Sequence, residues 1–361
     1  MPYNPSIVAE APEEITQPVG EVREGHRFEV AGLEHYLVRH LDGFAGPVAV
    51  RQFQGGQSNP TYLLSTSGHE YVLRRKPPGR LLPSAHAVDR EYRVLTALAA
   101  TDIPVPRTYA YCDDPAVIGT PFYVMDRVRG RIFANPLLPG VSAAERARLY
   151  DAMNGVLARL HRLDWQALGL GDFGKPGNYF ARQIHRWTTQ YRASETENIP
   201  EMERLIEWLP AHIPAGDETT IVHGDYRPGN MVVHPTEPRI LAVLDWELST
   251  LGHPLADLAY NCVPYHFDAE ADGLAGKDLA GLGIPSEAAY IAAYCRRTGR
   301  EGIEDWDFYI AFSLFRLAAI SQGIMGRVLA GTANDPNARD RGLRARALAA
   351  DGWAVVAAHA R

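Results

Sequence analysis

The chain has 361 residues, enough for two or three cooperating lobes around a sizeable core. With 46% hydrophobic and 22% charged residues it has the composition of an ordinary globular protein, which excludes disordered, collagenous and small disulfide-stapled chains. A formal charge of −7, from 36 Lys and Arg against 43 Asp and Glu, argues against a general nucleic-acid binder, and the widely spaced Cys112, Cys262 and Cys295 encode neither a disulfide framework nor a CxxC site, so a cytoplasmic setting is expected.

Residues 1–29 read as an N-terminal arm: Glu10, Glu13 and Glu14 stand where a secretory signal would carry a basic and then an apolar stretch. Residues 30–127 form a first lobe. Strand-like runs at Val48–Phe53, Thr61–Ser65 and Glu70–Arg75 are punctuated by Gly55-Gly56, Ser67-Gly68 and Pro77-Pro78-Gly79. Val88, Tyr92, Leu95 and Leu98 then recur at helical spacing, and Thr108–Cys112 and Phe122–Arg127 add two strands, predicting a five-stranded sheet with one helix. From 128 to 361 the pattern is mainly helical. Ser142-Ala-Ala-Glu145 is a capping box ahead of an apolar face running from Leu149 to Leu163. A strand-rich island follows at Thr219–His223, Met231–His234 and Arg239–Asp245, and helical patterns resume from Pro254. The apolar run Ile310–Ile320 is interrupted by Arg316, so no membrane span is expected.

The chemistry sits in that island, which reads Val222-His-Gly-Asp225-Tyr-Arg-Pro-Gly-Asn230 and then Leu244-Asp245-Trp-Glu247. An aspartate, an asparagine five residues later in a Pro-Gly loop and a second aspartate at a strand end are the parts that phosphoryl transfer from ATP requires. Asp225 can accept a hydroxyl proton and aim the nucleophile, while Asn230 and Asp245 offer hard oxygen ligands to Mg2+. Two surface loops built from common turn residues are the plain alternative. In the first lobe, Gly55 and Gly56 allow the backbone to approach phosphates and Ser58 or Asn59 can donate to them, although a simple hairpin turn explains the same residues.

The two-part motif closely resembles the signature of the aminoglycoside phosphotransferase and choline kinase branch of the protein-kinase-like fold. It is particularly similar to the kinase-like domain fused to acyl-CoA dehydrogenases and to free-standing bacterial relatives that resemble 4-hydroxyacyl-CoA kinases. The resemblance spans roughly residues 30–330. It implies an α+β, bilobal protein-kinase-like fold, an antiparallel sheet in the N-lobe and a mostly helical C-lobe, with ATP and Mg2+ as cofactors and a small-molecule hydroxyl as acceptor. It implies that Arg74 takes the place of the phosphate-anchoring lysine, with Lys76 on the same strand face as the alternative, and that Glu91 holds that cation. Met125, Asp126 and Val128 would form the lobe connection whose backbone reads adenine. Asp257 would hold the catalytic loop through backbone N–H groups or serve as a first-turn helix acid, and His223 would be a packed scaffold residue.

A Ser-His-Asp hydrolase is excluded because no G-x-S-x-G elbow occurs. A protein substrate is not expected: eleven residues separate Asp245 from Asp257 and no Ala-Pro-Glu follows, leaving no room for an activation loop. A non-catalytic nucleotide-binding scaffold remains as an alternative of another class. For the acceptor, five arginines after position 330 (Arg339, Arg341, Arg344, Arg346, Arg361) against three aspartates (Asp335, Asp340, Asp351) give that end a balance of +2, and Arg127, Arg129 and Arg131 alternate at the lobe hinge. Such arginines suit an anionic ligand, and combined with the resemblance to hydroxyacyl-CoA kinases they imply a hydroxyacyl-CoA ahead of an aminoglycoside or another small alcohol.

Overall fold

In the computed structural model, which describes residues 18–54, 59–79, 86–267, 273–333 and 337–359, the period-two pattern of the first lobe folds into a sheet of six strands. These are β1 (Val19–Gly20), β2 (Ala49–Phe53), β3 (Thr61–Ser65), β4 (Glu70–Arg75), β5 (Thr108–Cys112) and β6 (Phe122–Asp126), all antiparallel to their neighbours in the order β1-β2-β3-β4-β6-β5. The sixth strand is the difference from the five expected. It comes from within residues 1–29, where Val19 and Gly20 pair with Phe53 and Gln52.

Alternation gives the sheet two unlike faces. Tyr62, Leu64, Leu73, Phe122 and Val124 pack against Leu33 and Leu37 of α1 (Val30–His40). The sequence reading passed over this helix, although Val30, Leu33 and Leu37 already stand at its apolar spacing. Val72, Tyr123 and Met125 face the other way, toward Val94, Leu95 and Leu98 of α2 (Val88–Leu98) and the core of the second lobe. Strand β4 therefore sends neighbouring arginines to opposite sides. Arg75 goes to the α1 side, donating to Tyr62 Oη and the carbonyls of Ile118 and His26, and Arg74 goes to the cleft.

After the short helix α3 (Pro115–Ile118), the second lobe opens with α4 (Ala143–Leu160), capped by Ser142 Oγ accepting from Glu145 N at 3.2 Å. Helices α5 (Tyr179–Ala193) and α6 (Pro200–Ala211) precede two small hairpin-like pairs. β7 (Thr220–Val222) pairs with β10 (Thr250–Gly252), and β8 (Met231–Val233) pairs with β9 (Ile240–Val243). Then come α7 (Pro254–Cys262), α8 (Leu279–Leu282), α9 (Glu287–Thr298), α10 (Trp306–Leu329) and α11 (Ala338–His359). Helix α10 has the length and hydropathy to cross a membrane, but most of its apolar stretch is buried in the fold, with α5, α7 and α11 packed around it.

His253 caps α7, its Nδ1 accepting from Leu255 N at 3.3 Å. It is 6% exposed and stacks on Tyr309. Burial pushes its pKa down from 6.5 to about 4. The unfolded chain therefore takes up this proton first as pH falls. Stability from neutral His253 is fully present above about pH 6.5 and is lost progressively toward pH 4, by up to about 3 kcal/mol. The denaturant midpoint should fall across that window. It should fall less in His253→Asn, which keeps a capping group that does not titrate. Parallel pH profiles for the two proteins would show that His253 is not the linked group.

Candidate active site

The cleft between the lobes is lined by Val72, Arg74, Tyr123, Met125, Asn230 and Asp245 among others, with a cavity volume of about 170 Å³. Arg74 lies opposite Thr61 and Tyr123 across the sheet. Its Nε stands 3.2 Å from Glu91 Oε2 on α2, and its Nη2 donates to Asp245 Oδ1 of the second lobe at 2.9 Å. Glu247 Oε2 is 3.7 Å away. Glu91 is 1% exposed and accepts from Asn59 Nδ2 at 2.7 Å and from Tyr123 Oη at 3.0 Å. Burial alone would lower the pKa of Arg74, but Glu91 and Asp245 raise it further than burial lowers it, so the guanidinium stays charged. Of the two cations left open by the sequence, Arg74 is the one brought to both carboxylates.

The catalytic loop is set by its frame. Asp257 at the start of α7 is 1% exposed and accepts from the backbone N–H groups of His223 and Gly224. Burial would raise its pKa, yet His161, 3.5 Å away, His223 and these donors hold it below the usual carboxylate range. His223 Nε2 reaches Leu244 O at 2.9 Å while Nδ1 accepts from Asp225 N at 3.1 Å, an arrangement that fits the neutral ring with its proton on Nε2. Gly224 has φ +84°, and a Cβ there would come within 2.8 Å of Leu248 O, so the motif requires glycine at this point.

Three donors then fix the Asp225 carboxylate. Tyr260 Oη donates to Oδ1 at 2.5 Å, Asn230 Nδ2 to Oδ2 at 2.7 Å, and Arg227 Nε lies 3.2 Å from both oxygens. The β8–β9 register pairs Met231 with Val243, which brings Asn230 and Asp245 to the same end of the hairpin, and Leu244 N donates to Asn230 O at 2.8 Å. Asp245 itself holds φ 65°, a left-handed conformation unusual for aspartate and typical of strained functional positions. Asn230 turns its amide nitrogen to Asp225 and Asp245 is over a third exposed, so two hard oxygen donors are available to the cleft. That set fits Mg2+, which keeps few protein ligands and completes its shell with phosphate and water.

Other expected residues divide. Met125, Asp126 and Val128 line the cleft, and the Asp126 carboxylate is engaged by Tyr109 at 2.5 Å. Asn59 is present, with one amide hydrogen committed to Glu91. Gly55, Gly56 and Ser58 lie outside the described residues, as do Asp335 and Arg361. Of the hinge arginines, Arg127 and Arg129 line the cleft and share Glu70 as an ion-pair partner, while Arg131 pairs with Glu145. Arg346 likewise pairs with Glu197. The sequence reading missed Tyr260 and Arg227, the donors to Asp225. Arg227 stood inside the quoted motif, whereas Tyr260 reaches the site only through the packing of α7.

Comparison with known proteins accords with this geometry. Residues 49–311 match the phosphotransferase enzyme family. The chain is 55% identical to a Ralstonia eutropha protein whose crystal structure is described as an aminoglycoside phosphotransferase, with a TM-score of 0.84 over 91% of this chain and 98% of that one. It is 48% identical to mouse acyl-CoA dehydrogenase family member 10 over 89% of this chain and 30% of that protein, so it spans under a third of that relative's length. An aminoglycoside phosphotransferase in ternary complex with AMP-PNP and hygromycin B shares the fold at 15% identity, with a TM-score of 0.57 over 90% of this chain and 98% of that one. The chain belongs to the phosphotransferase enzyme family and has the bilobal protein-kinase-like fold.

Proposed function

We propose that this kinase transfers the γ-phosphoryl group of ATP to a hydroxyl of a hydroxyacyl-CoA. The observation that carries the reading is the convergence of Asp225, Asn230, Asp245 and Arg74 on one inter-lobe cleft. Use of ATP is supported by the AMP-PNP bound to a protein of the same fold. The acyl-CoA acceptor is supported by the 48% identity to an acyl-CoA dehydrogenase family member.

In this reading the acceptor hydroxyl hydrogen-bonds to Asp225, whose carboxylate is held by Tyr260, Asn230 and Arg227. Asp225 takes the proton as the oxygen attacks phosphorus, the bond from the γ-phosphorus to the bridging oxygen breaks, and ADP leaves. Arg74, fixed by Glu91, holds the ATP phosphates at the end of β4. Asn230 and Asp245 would hold Mg2+, which when bound would supply positive charge to offset the negative charge developing on the leaving group.

Asp225→Ala should leave AMP-PNP affinity nearly unchanged and slow transfer by about 10²–10⁴, the span of a positioned general base. Unchanged turnover would remove Asp225 from the mechanism. Asp245→Asn should weaken the magnesium-dependent part of AMP-PNP binding by about tenfold, equivalent to about 1.4 kcal/mol. Calorimetric titrations with and without Mg2+ check this, and an equal magnesium-dependent gain in both proteins would count against Asp245 as a ligand. The acceptor is tested by screening the purified enzyme with ATP against 4-hydroxyacyl-CoAs, the corresponding free acids, aminoglycosides, choline and homoserine, with the phosphorylated product confirmed by mass. A CoA ester is expected to be the product. Transfer to an aminoglycoside or a free acid alone would overturn the acceptor assignment, and silence across the panel would favour a nucleotide-binding scaffold.

A further inference from the structure

Beyond Asp225, away from the residues that line the nucleotide cleft, two cations stand without partners of opposite charge among the described residues. Arg316 on α10 is 6% exposed, yet it makes a single hydrogen bond, from Nη2 to Gly224 O, and its Nε is buried with no acceptor. The other arginines buried to a similar degree among the described residues are better satisfied. Arg131 pairs with Glu145, and Arg75 and Arg146 each donate to three or more carbonyl or hydroxyl oxygens. A guanidinium has five N–H donors, and leaving most of them unmet inside a protein is costly.

Arg186 on α5 stands beside it. The two guanidinium carbons lie 5.5 and 5.4 Å from the same Trp187 ring. Arg186 reaches solvent and, like Arg316, has no carboxylate within ion-pair distance among the described residues. Burial and then the nearby positive charge of Arg316 lower its pKa, as expected for like charges held close together. Tyr260 joins this pair to the catalytic base: Arg316 sits 5.3 Å from its ring, and its hydroxyl donates to Asp225 Oδ1.

We propose that Arg186 and Arg316 form an acceptor subsite that holds an acyl oxygen, either a carboxylate or a thioester carbonyl, beside Asp225. The inference rests on the kinase reading and deepens it by stating what the acceptor must carry: an acyl oxygen a short chain away from the hydroxyl presented to Asp225. An oxygen between the two guanidinium groups meets the donors that Arg316 leaves unused and lowers the repulsion between the arginines. The same pair repels a polycation, so the subsite selects against aminoglycosides.

The test uses two probes that lack a hydroxyl and cannot be phosphorylated, butyryl-CoA and butyrate, each titrated calorimetrically into the chain in the presence of AMP-PNP. One of them is expected to bind, and which one does so distinguishes a thioester from a free carboxylate. Arg186→Gln, a substitution at an exposed position, should weaken that binding at least tenfold with AMP-PNP affinity retained. Arg316→Lys, which keeps the charge without the fork, should weaken it as well. No binding of either probe, or equal affinity in Arg186→Gln, would overturn the subsite. Transfer to a hydroxyacyl-CoA with an acceptor KM untouched by Arg186→Gln would remove the subsite and leave the kinase reading standing. Probe binding that depends on Arg186, with no transfer to any acceptor, would keep the subsite and remove the kinase reading.

Discussion

The site hangs on the buried guanidinium of Arg74, which touches three elements from two lobes at once. Its Nε faces Glu91 on α2 and its Nη2 donates to Asp245 beyond β9. A lysine, with one compact ammonium group, could not meet two carboxylates through separate edges in this way. The arrangement also explains why Glu91 is buried so completely. With Tyr123 and Asn59 donating to it and Arg74 beside it, the carboxylate has partners on both oxygens, and removing any one of them would leave charge in a low-dielectric setting. Strand β4 makes this possible because its alternation sends Arg74 to the cleft and Arg75 into the opposite core.

The second lobe holds its half of the site mainly through backbone contacts. Asp257 gathers the N–H groups of His223 and Gly224, and Arg316 takes the Gly224 carbonyl, so the residue before the base is pinned on both sides. His223 bridges the loop to the segment that leads from β9 to Asp245, because one ring nitrogen contacts Asp225 N and the other Leu244 O. The loops that carry Asp225 and Asp245 therefore share one rigid frame, which suits the proposed phosphoryl transfer, in which positioning supplies much of the catalysis.

What could be read from the sequence follows from how far each signal reaches. Strands β2 to β6 were legible almost to the residue because period-two alternation is bounded by Gly and Pro pairs, and α4 because its capping box is local. The edge strand β1 was not legible, since two residues carry no periodicity and pair only because β2 is there. The Asp225, Asn230 and Asp245 trio was legible because the catalytic loop and the β8–β9 hairpin are contiguous in the chain. Tyr260 lies 35 residues from Asp225 and meets it only after α7 docks on β7. No spacing rule anticipates such a contact.

Charge shows the same limit in a sharper form. Arg127, Arg129 and Arg131, clustered in sequence, all meet carboxylates in the fold, the first two sharing Glu70 and the third taking Glu145. Arg186 and Arg316 stand on different helices and look unremarkable in the sequence, the second merely breaking an apolar run. Packing on Trp187 makes them neighbours and leaves them without carboxylates. The net charge of −7 is silent on this, because a ligand responds to the field where it binds and not to the sum over the chain. The sign of an acceptor is therefore better read from donors that the fold buries and does not satisfy than from a count of cations. By that criterion the region beyond Asp225 is the proposed place for an acyl oxygen, whereas the hinge arginines already have carboxylate partners.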